Sequence, residues 1–174
     1  MRASLGTWII AVLFGVGAFV APSEGWSQQK FPLKETDSEG GYVQEHPIDA
    51  GDIPGHQVRT YQLRFLYPKK DLVFLGVPVK ESFTAGISDY INGNGPFTTY
   101  SVFILEDGNK IFARGTGTTQ SEANGARKFS YVDNFTGGTG RFKGIRGQLR
   151  GSGERAAGSK VLTESDSGEY WIED

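Results

Sequence analysis

The sequence has no cysteine among its 174 residues, which excludes a disulfide framework, a thiolate nucleophile and any cysteine-ligated metal. An excess of charge of one sign is missing as well: 18 Lys and Arg stand against 20 Asp and Glu, for a formal net charge of −2. That balance builds no basic face of the kind nucleic acid or an anionic membrane surface requires, so neither is expected as a partner. Histidine is limited to His46 and His56. With no H-x-x-x-H pair and no cysteine, no metal site is expected. His56 follows Pro54-Gly55 and precedes a strand, where capping or a surface role is usual. No G-x-S-x-G elbow is present, which argues against a hydrolase of that design. Beyond the N-terminal segment no helical periodicity is sustained over ten residues.

What is abundant is glycine, 25 residues, about twice the usual share of ~7%. Aromatic residues make up 13%, a fraction that disordered chains lack. Together they indicate strands and tight turns, and the length suits one domain of roughly 100–200 residues. The segment Trp8 to Ala21 (WIIAVLFGVGAFVA) is continuously apolar, preceded by Arg2 and followed by small and polar residues. It is shorter than the roughly 20 residues a membrane-spanning helix needs. It therefore reads as a signal peptide over residues 1–27, cleaved after Gly25 or Ser27, with an uncleaved anchor as the alternative. The mature protein is then periplasmic or secreted, with no membrane association after cleavage, and must hold together by packing and sheet hydrogen bonds alone.

Residues 28–55 are polar and turn-rich and are expected to form an irregular leader, with at most one short strand near Gly41 to Glu45. From residue 56 to 174 the pattern changes to period-2 strands separated by Gly, Asp, Asn and Pro. Gln57 to Tyr67 carries its bulk on one phase: Tyr61, Leu63, Phe65 and Tyr67. Asn92-Gly93-Asn94-Gly95 is a turn, because Asn and Gly accept positive φ. Thr98 to Glu106 and Asn109 to Thr118 flank Asp107-Gly108, the pair expected for a two-residue hairpin. That closure sets Ile104 opposite Ile111 and Val102 opposite Ala113, and it leaves apolar residues on both faces. An outer covering, by another element or another subunit, is therefore expected. Further strands are expected over Lys128 to Thr136, Ile145 to Gly153 and Glu164 to Glu173. The architecture predicted is an all-β, small closed antiparallel barrel of about eight strands.

Ten of the 25 glycines fall between Gly115 and Gly153. The densest run is Gly137-Gly138-Thr139-Gly140-Arg141-Phe142-Lys143-Gly144-Ile145-Arg146-Gly147. It lacks the Lys-Ser/Thr of a P-loop, and its spacing G-x-G-x-x-x-G misses the dinucleotide fingerprint by one residue. Its glycines Gly137, Gly138, Gly140, Gly144 and Gly147 read as structural. The polar residues expected to reach a barrel interior are Asp89, Tyr90, Tyr100, Arg114 and Tyr131, whose phenols and guanidinium suit a substrate oxygen or carboxylate.

The segment Gly137 to Gly153 resembles the GG(T/S)G-x-(F/Y)-x-G-x-x-G signature of the allene oxide cyclase-like barrels, a group that includes the dirigent proteins. Asp52 to Arg64, Ser88 to Gly95, the hairpin at Glu106-Asp107-Gly108 and Gly168 to Ile172 are similar to a family of small exported bacterial proteins of uncertain function. The resemblance implies an eight-stranded antiparallel barrel, often trimeric, with a central cavity for an apolar or amphipathic small molecule and no cofactor. The cyclases of this group use a cavity carboxylate and a cysteine. This chain has no cysteine, and no local motif aligns Glu35 or Glu45 with the cyclase glutamate, so no catalytic residue is carried over. Three readings follow from the sequence: an exported barrel that binds or orients a small molecule, a cofactor-independent cyclase or isomerase, and a structural barrel with a filled interior.

Overall fold

The computed structural model describes residues 28–173; the segment expected to be a signal peptide lies outside the described residues. The strands, in chain order, are β1 (Gln29–Asp49), β2 (His56–Leu66), β3 (Val73–Phe74), β4 (Val77–Ile91), β5 (Gly95–Leu105), β6 (Lys110–Ser121), β7 (Arg127–Gly138), β8 (Ile145–Arg155) and β9 (Val161–Ile172). All of them except β3 close a ring in the order β2-β1-β9-β8-β7-β6-β5-β4, and β4 returns to β2 through an unbroken register from His56↔Ile91 to Leu66↔Glu81. Every neighbouring pair is antiparallel. Closure leaves the ring with no free edge, which a cysteine-free barrel needs in order to avoid edge-to-edge pairing.

The period-2 runs fall on strands; on β2 and β7 the bulky phase points inward, whereas on β4 Ser82 and Ser88 face inward and Phe83 and Ile87 face outward. Residues 28–55 depart from expectation: instead of an irregular leader they contribute β1, which completes the ring by pairing its first half with β9 and its second half with β2. At mid-strand its inward positions are small and polar, with Thr36 and Ser38 buried, and further up Tyr42 lines the interior against Tyr61. Its later part, Val43 to Asp49, is exposed on both faces. A strand specified by its neighbours' backbone edges shows no hydrophobic alternation for a sequence reading to find.

The β5–β6 hairpin is also corrected, by one residue. Gly108, at φ 81°, donates its N–H to the Leu105 carbonyl, and the Leu105 N–H donates to the Asn109 carbonyl. The loop therefore holds three residues, Glu106-Asp107-Gly108, in the type I turn plus left-handed glycine arrangement, instead of two. Asp107 secures it by accepting the Asn109 N–H at 3.0 Å. Val102 now faces Phe112 and Phe103 faces Ile111. The shift places Ser101, Phe103, Ile111 and Ala113 together inside and Tyr100, Val102, Ile104 and Phe112 together outside.

The lower end of the barrel is plugged. Phe74, on the short β3, packs edge-on against Phe135 with ring centres 5.4 Å apart and lies 5.5 Å from Tyr170. Phe142, on a 3-10 turn at Gly140–Phe142, fills the same core with Leu105, Ile111, Ile145 and Leu149. The glycine signature is what admits Phe142. Thr139 clasps Lys110, donating its N–H to the Lys110 carbonyl at 2.9 Å and accepting the Lys110 N–H on its hydroxyl at 2.8 Å. Gly140 turns at φ 54°, and a Cβ on Gly144 would strike the backbone of Glu173. The signature shapes the closed end of the barrel and takes no part in the cavity at the other end.

Candidate functional site

The upper half of the barrel, where β1–β2, β4–β5, β6–β7 and β8–β9 connect, encloses a cavity of about 400 Å³. That volume falls in the range of small-molecule sites. Its walls are aromatic and hydroxylic: Tyr61, Phe65, Phe97 and Phe129 alternate with Thr84, Thr99 and Ser101. Room for these rings comes from glycines on the neighbouring strands. Gly86 lies under the Tyr61 ring, Gly117 under Phe97, and Gly153 under Phe129 and Glu164, each where a Cβ would overlap the side chain. Cross-strand pairing produces this arrangement directly, since Gly86↔Tyr61 and Gly153↔Phe129 are register partners.

The cavity contains an acidic group that the sequence reading missed. Asp133 and Glu164 line it, both buried. Asp166, also buried, lies one inward position below Glu164 and borders a second crevice of about 210 Å³ shared with Lys34 and Asp71. The Tyr131 hydroxyl spans the two spaces: it lines the cavity and donates to Asp166 Oδ1 at 2.7 Å. Burial raises the Asp133 carboxyl to about 7, with the Asp166 charge adding to the effect. Burial likewise raises Glu164, again with Asp166 contributing, and raises Asp166 itself, against hydrogen bonds from Tyr131 and Thr36. The Tyr131 and Tyr67 phenols are held far above their ordinary value by burial and by the neighbouring carboxyls. The cavity floor therefore carries carboxyl protons near neutral pH and can donate a hydrogen bond or a proton to an oxygen placed there. Among the described residues no group of three or more His, Cys, Asp or Glu is arranged to hold a metal ion.

Of the residues singled out from sequence, Tyr90 and Tyr131 line the cavity, and Tyr90 shares a hydrogen bond with Thr119 at 2.9 Å. Asp89, Tyr100 and Arg114 lie on the outer surface and are not brought together with them. Tyr100 is 54% exposed and carries the Arg114 guanidinium over its ring at 5.4 Å, the two being cross-strand partners. Asp89 Oδ1 lies 2.7 Å from His56 Nε2, while Asp52 Oδ1 lies 2.6 Å from His56 Nδ1. Hydrogen bonds to Asp89 and Asp52 raise the imidazole's pKa, and through the Asp89 contact His56 clamps β2 to β4 at the upper rim. A usable signal for the missed acids was present in the strand phase. Asp133 shares parity with Phe129, Tyr131 and Phe135, and Glu164 and Asp166 share parity with Leu162 and Tyr170. An acid in register with the apolar phase of its strand must face the interior.

Gly151 stands between Tyr131 and Asp166, where a Cβ would overlap both the phenol ring and the carboxyl. Neither partner can retreat without breaking their hydrogen bond. Gly151→Ala is accordingly expected to cost about 1–3 kcal/mol in urea denaturation, the range for overpacking a filled site. Gly41→Ala, whose added methyl would meet only Arg155 at an ordinary 3.5 Å, is the mild control.

No family model matches this sequence, and no curated protein does. Among solved structures, a pterocarpan synthase dirigent protein is similar over 87% of this chain and 90% of its own, at 12% identity and a TM-score of 0.44.

Proposed function

We propose that this barrel binds an amphipathic small molecule, which enters through the open upper end and sets an oxygen against the protonated floor. The observation that carries the reading is a cavity of about 400 Å³ with aromatic walls, closed below by Phe74 and Phe142, holding the buried carboxyls of Asp133 and Glu164. A purely structural barrel would fill that space with side chains, as the lower half does. The neutral fluorophore N-phenyl-1-naphthylamine tests this. One molecule per barrel is expected to bind with enhanced emission, and Ser101→Phe, which extends a ring into the cavity, should weaken binding at least about tenfold. Equal uptake by both proteins would place the dye on the outer surface and remove the proposal.

The raised carboxyls favour a second reading, a cofactor-independent isomerase or cyclase in which Asp133 or Glu164 supplies the proton and the walls fix the substrate's shape. Conversion of any bound substrate that persists in a Asp133→Asn, Glu164→Gln protein would remove that reading.

Self-association is proposed through the outer face of β4, β5 and β6. Phe83, Val102 and Phe112 are direct cross-strand partners there, flanked by Ile87 at 53% exposure and by Tyr100. Three copies is the number that the resemblance implies. Sedimentation should report a trimer that Phe83→Glu converts to monomer; a monomeric parent protein would exclude it. Export is supported by the N-terminal segment, and the mature chain should begin between Trp26 and Gln28 on N-terminal sequencing.

A further inference from the structure

The rim of the cavity carries two arginines that form no ion pair with any of the described residues. Arg127 on β7 and Arg155 on β8 are direct cross-strand partners, and both line the cavity above the aromatic wall. Like charges placed directly opposite each other in a sheet repel. The outer-face neighbour of Arg127 shows the usual remedy: Lys128 is paired with Glu122. Elsewhere Arg59 pairs with Glu45, Arg64 with Glu81 and Arg146 with Glu173. Neither rim arginine has an ion pair among the described residues. Arg155 stacks over the Phe65 ring at 5.5 Å, which fixes its guanidinium above the cavity, and its Nε is buried with no hydrogen-bond acceptor. A buried guanidinium N–H without an acceptor is costly. Glu164 attracts Arg155 from the next strand, yet no ion pair joins them, and Glu164 is itself inclined to hold a proton.

We propose that the ligand of this barrel is an organic anion, its carboxylate or sulfonate-type head held by Arg127 and Arg155 and its apolar body seated below among Tyr61, Phe97 and Phe129. This rests on the cavity being a binding site. The guanidinium fork suits a head with two acceptor oxygens, and the apolar wall beneath it gives a bare inorganic anion nothing to pack against. Charge is separated along β7, with Arg127 at the rim and the buried carboxyl of Asp133 three inward positions below it, so one orientation of the ligand is set: anion upward, a carbonyl or hydroxyl oxygen toward Asp133.

A matched pair of probes separates this inference from the reading it rests on. N-phenyl-1-naphthylamine is neutral, and 8-anilinonaphthalene-1-sulfonate is the same ring system with an added anionic head. At low ionic strength and pH 7 the sulfonate is expected to bind about tenfold or more tightly than the neutral dye. In Arg127→Gln and in Arg155→Met the ratio of the two affinities should fall toward one, and rising salt should lower it in the parent protein. Arg127 is exposed, so its replacement does not threaten folding even if that of Arg155 does. A parent protein that binds both dyes equally, or an Arg127→Gln protein that keeps the full ratio, overturns the anion assignment while leaving cavity binding in place. Failure of both dyes to bind overturns both.

Discussion

Replacing Asp133 with asparagine should make the barrel more stable at pH 8, by on the order of 4 kcal/mol, while leaving it nearly unchanged at pH 4. The folded protein raises this carboxyl from 3.8 to about 7 by burial, with Asp166 adding to it. Between those values the folded state holds a proton that the unfolded state has released. Stability contributed by that proton is complete below pH 4 and is lost as the pH climbs through 7. At about 1.4 kcal/mol per unit the loss amounts to roughly 4 kcal/mol. Asparagine keeps the shape and a polar head without a charge to desolvate, so its profile should run flat where that of the parent descends. Glu164 and Asp166 are shifted in the same direction and steepen the descent. His56, raised by its two aspartates, also adds stability that fades above its unfolded value of 6.5. Asp37, Asp52, Asp107 and Glu122 act oppositely: their depressed values withdraw stability only as the pH falls below about 4. The parent protein should therefore be most stable near pH 4–5, an acid-shifted optimum. Urea denaturation from pH 4 to 9 measures both proteins, and parallel profiles would mean that Asp133 is not the buried acid its surroundings describe.

The same carboxyls explain how the sequence was informative about the fold and less so about the site. Strands β2 and β5 to β9 were legible as short runs between Gly, Asn or Asp breaks, and on β2 and β7 the bulky phase marked the inward face. The register of β5 against β6 was wrong by one because Asp107-Gly108 fits a two-residue turn as well as the last two positions of a three-residue one, and backbone hydrogen bonds decide between them. β1 was missed because Thr36 and Ser38, buried at its middle, are small and polar, so that Tyr42 stands without an apolar phase around it, and its rim is exposed on both sides. Site candidates chosen for their chemistry alone divided by strand phase. Tyr90 points in and Asp89 therefore points out. On β5 the inward phase near the cavity is Thr99 and Ser101, which leaves room for a ligand and puts Tyr100 outside. The emptiness of a cavity is written in small residues, the ones that a search for chemical groups passes over.

Phe74→Ala should be the most damaging single truncation, costing about 3–5 kcal/mol. Phe74 has no exposed surface, and its ring meets Phe135, Tyr170 and Phe103 at centroid distances of 5.4, 5.5 and 6.2 Å. Its strand, β3, spans two residues and turns back at once through Leu75 and Gly76, both at positive φ. Leu75 in that region costs roughly 1–2 kcal/mol that a glycine would avoid. Besides the two-residue β3–β4 ladder, the Val79 N–H donates to the Leu72 carbonyl at 2.8 Å and the Leu75 N–H to the Tyr170 hydroxyl at 2.8 Å. Burial of the Phe74 ring, between the smaller anchors Leu72 and Val79, is thus the largest contact keeping the strained turn seated under the barrel. Removing it leaves a void beneath the cavity and frees the turn to leave. Two readouts should move together: the urea midpoint falls, and the Leu75 amide exchanges with solvent far faster than the ring strands do. Phe74→Leu, which retains most of the volume, should lose under about 1.5 kcal/mol and keep the amide protected. A Phe74→Ala protein that loses less than about 1 kcal/mol would show that the plug is held by something other than this ring.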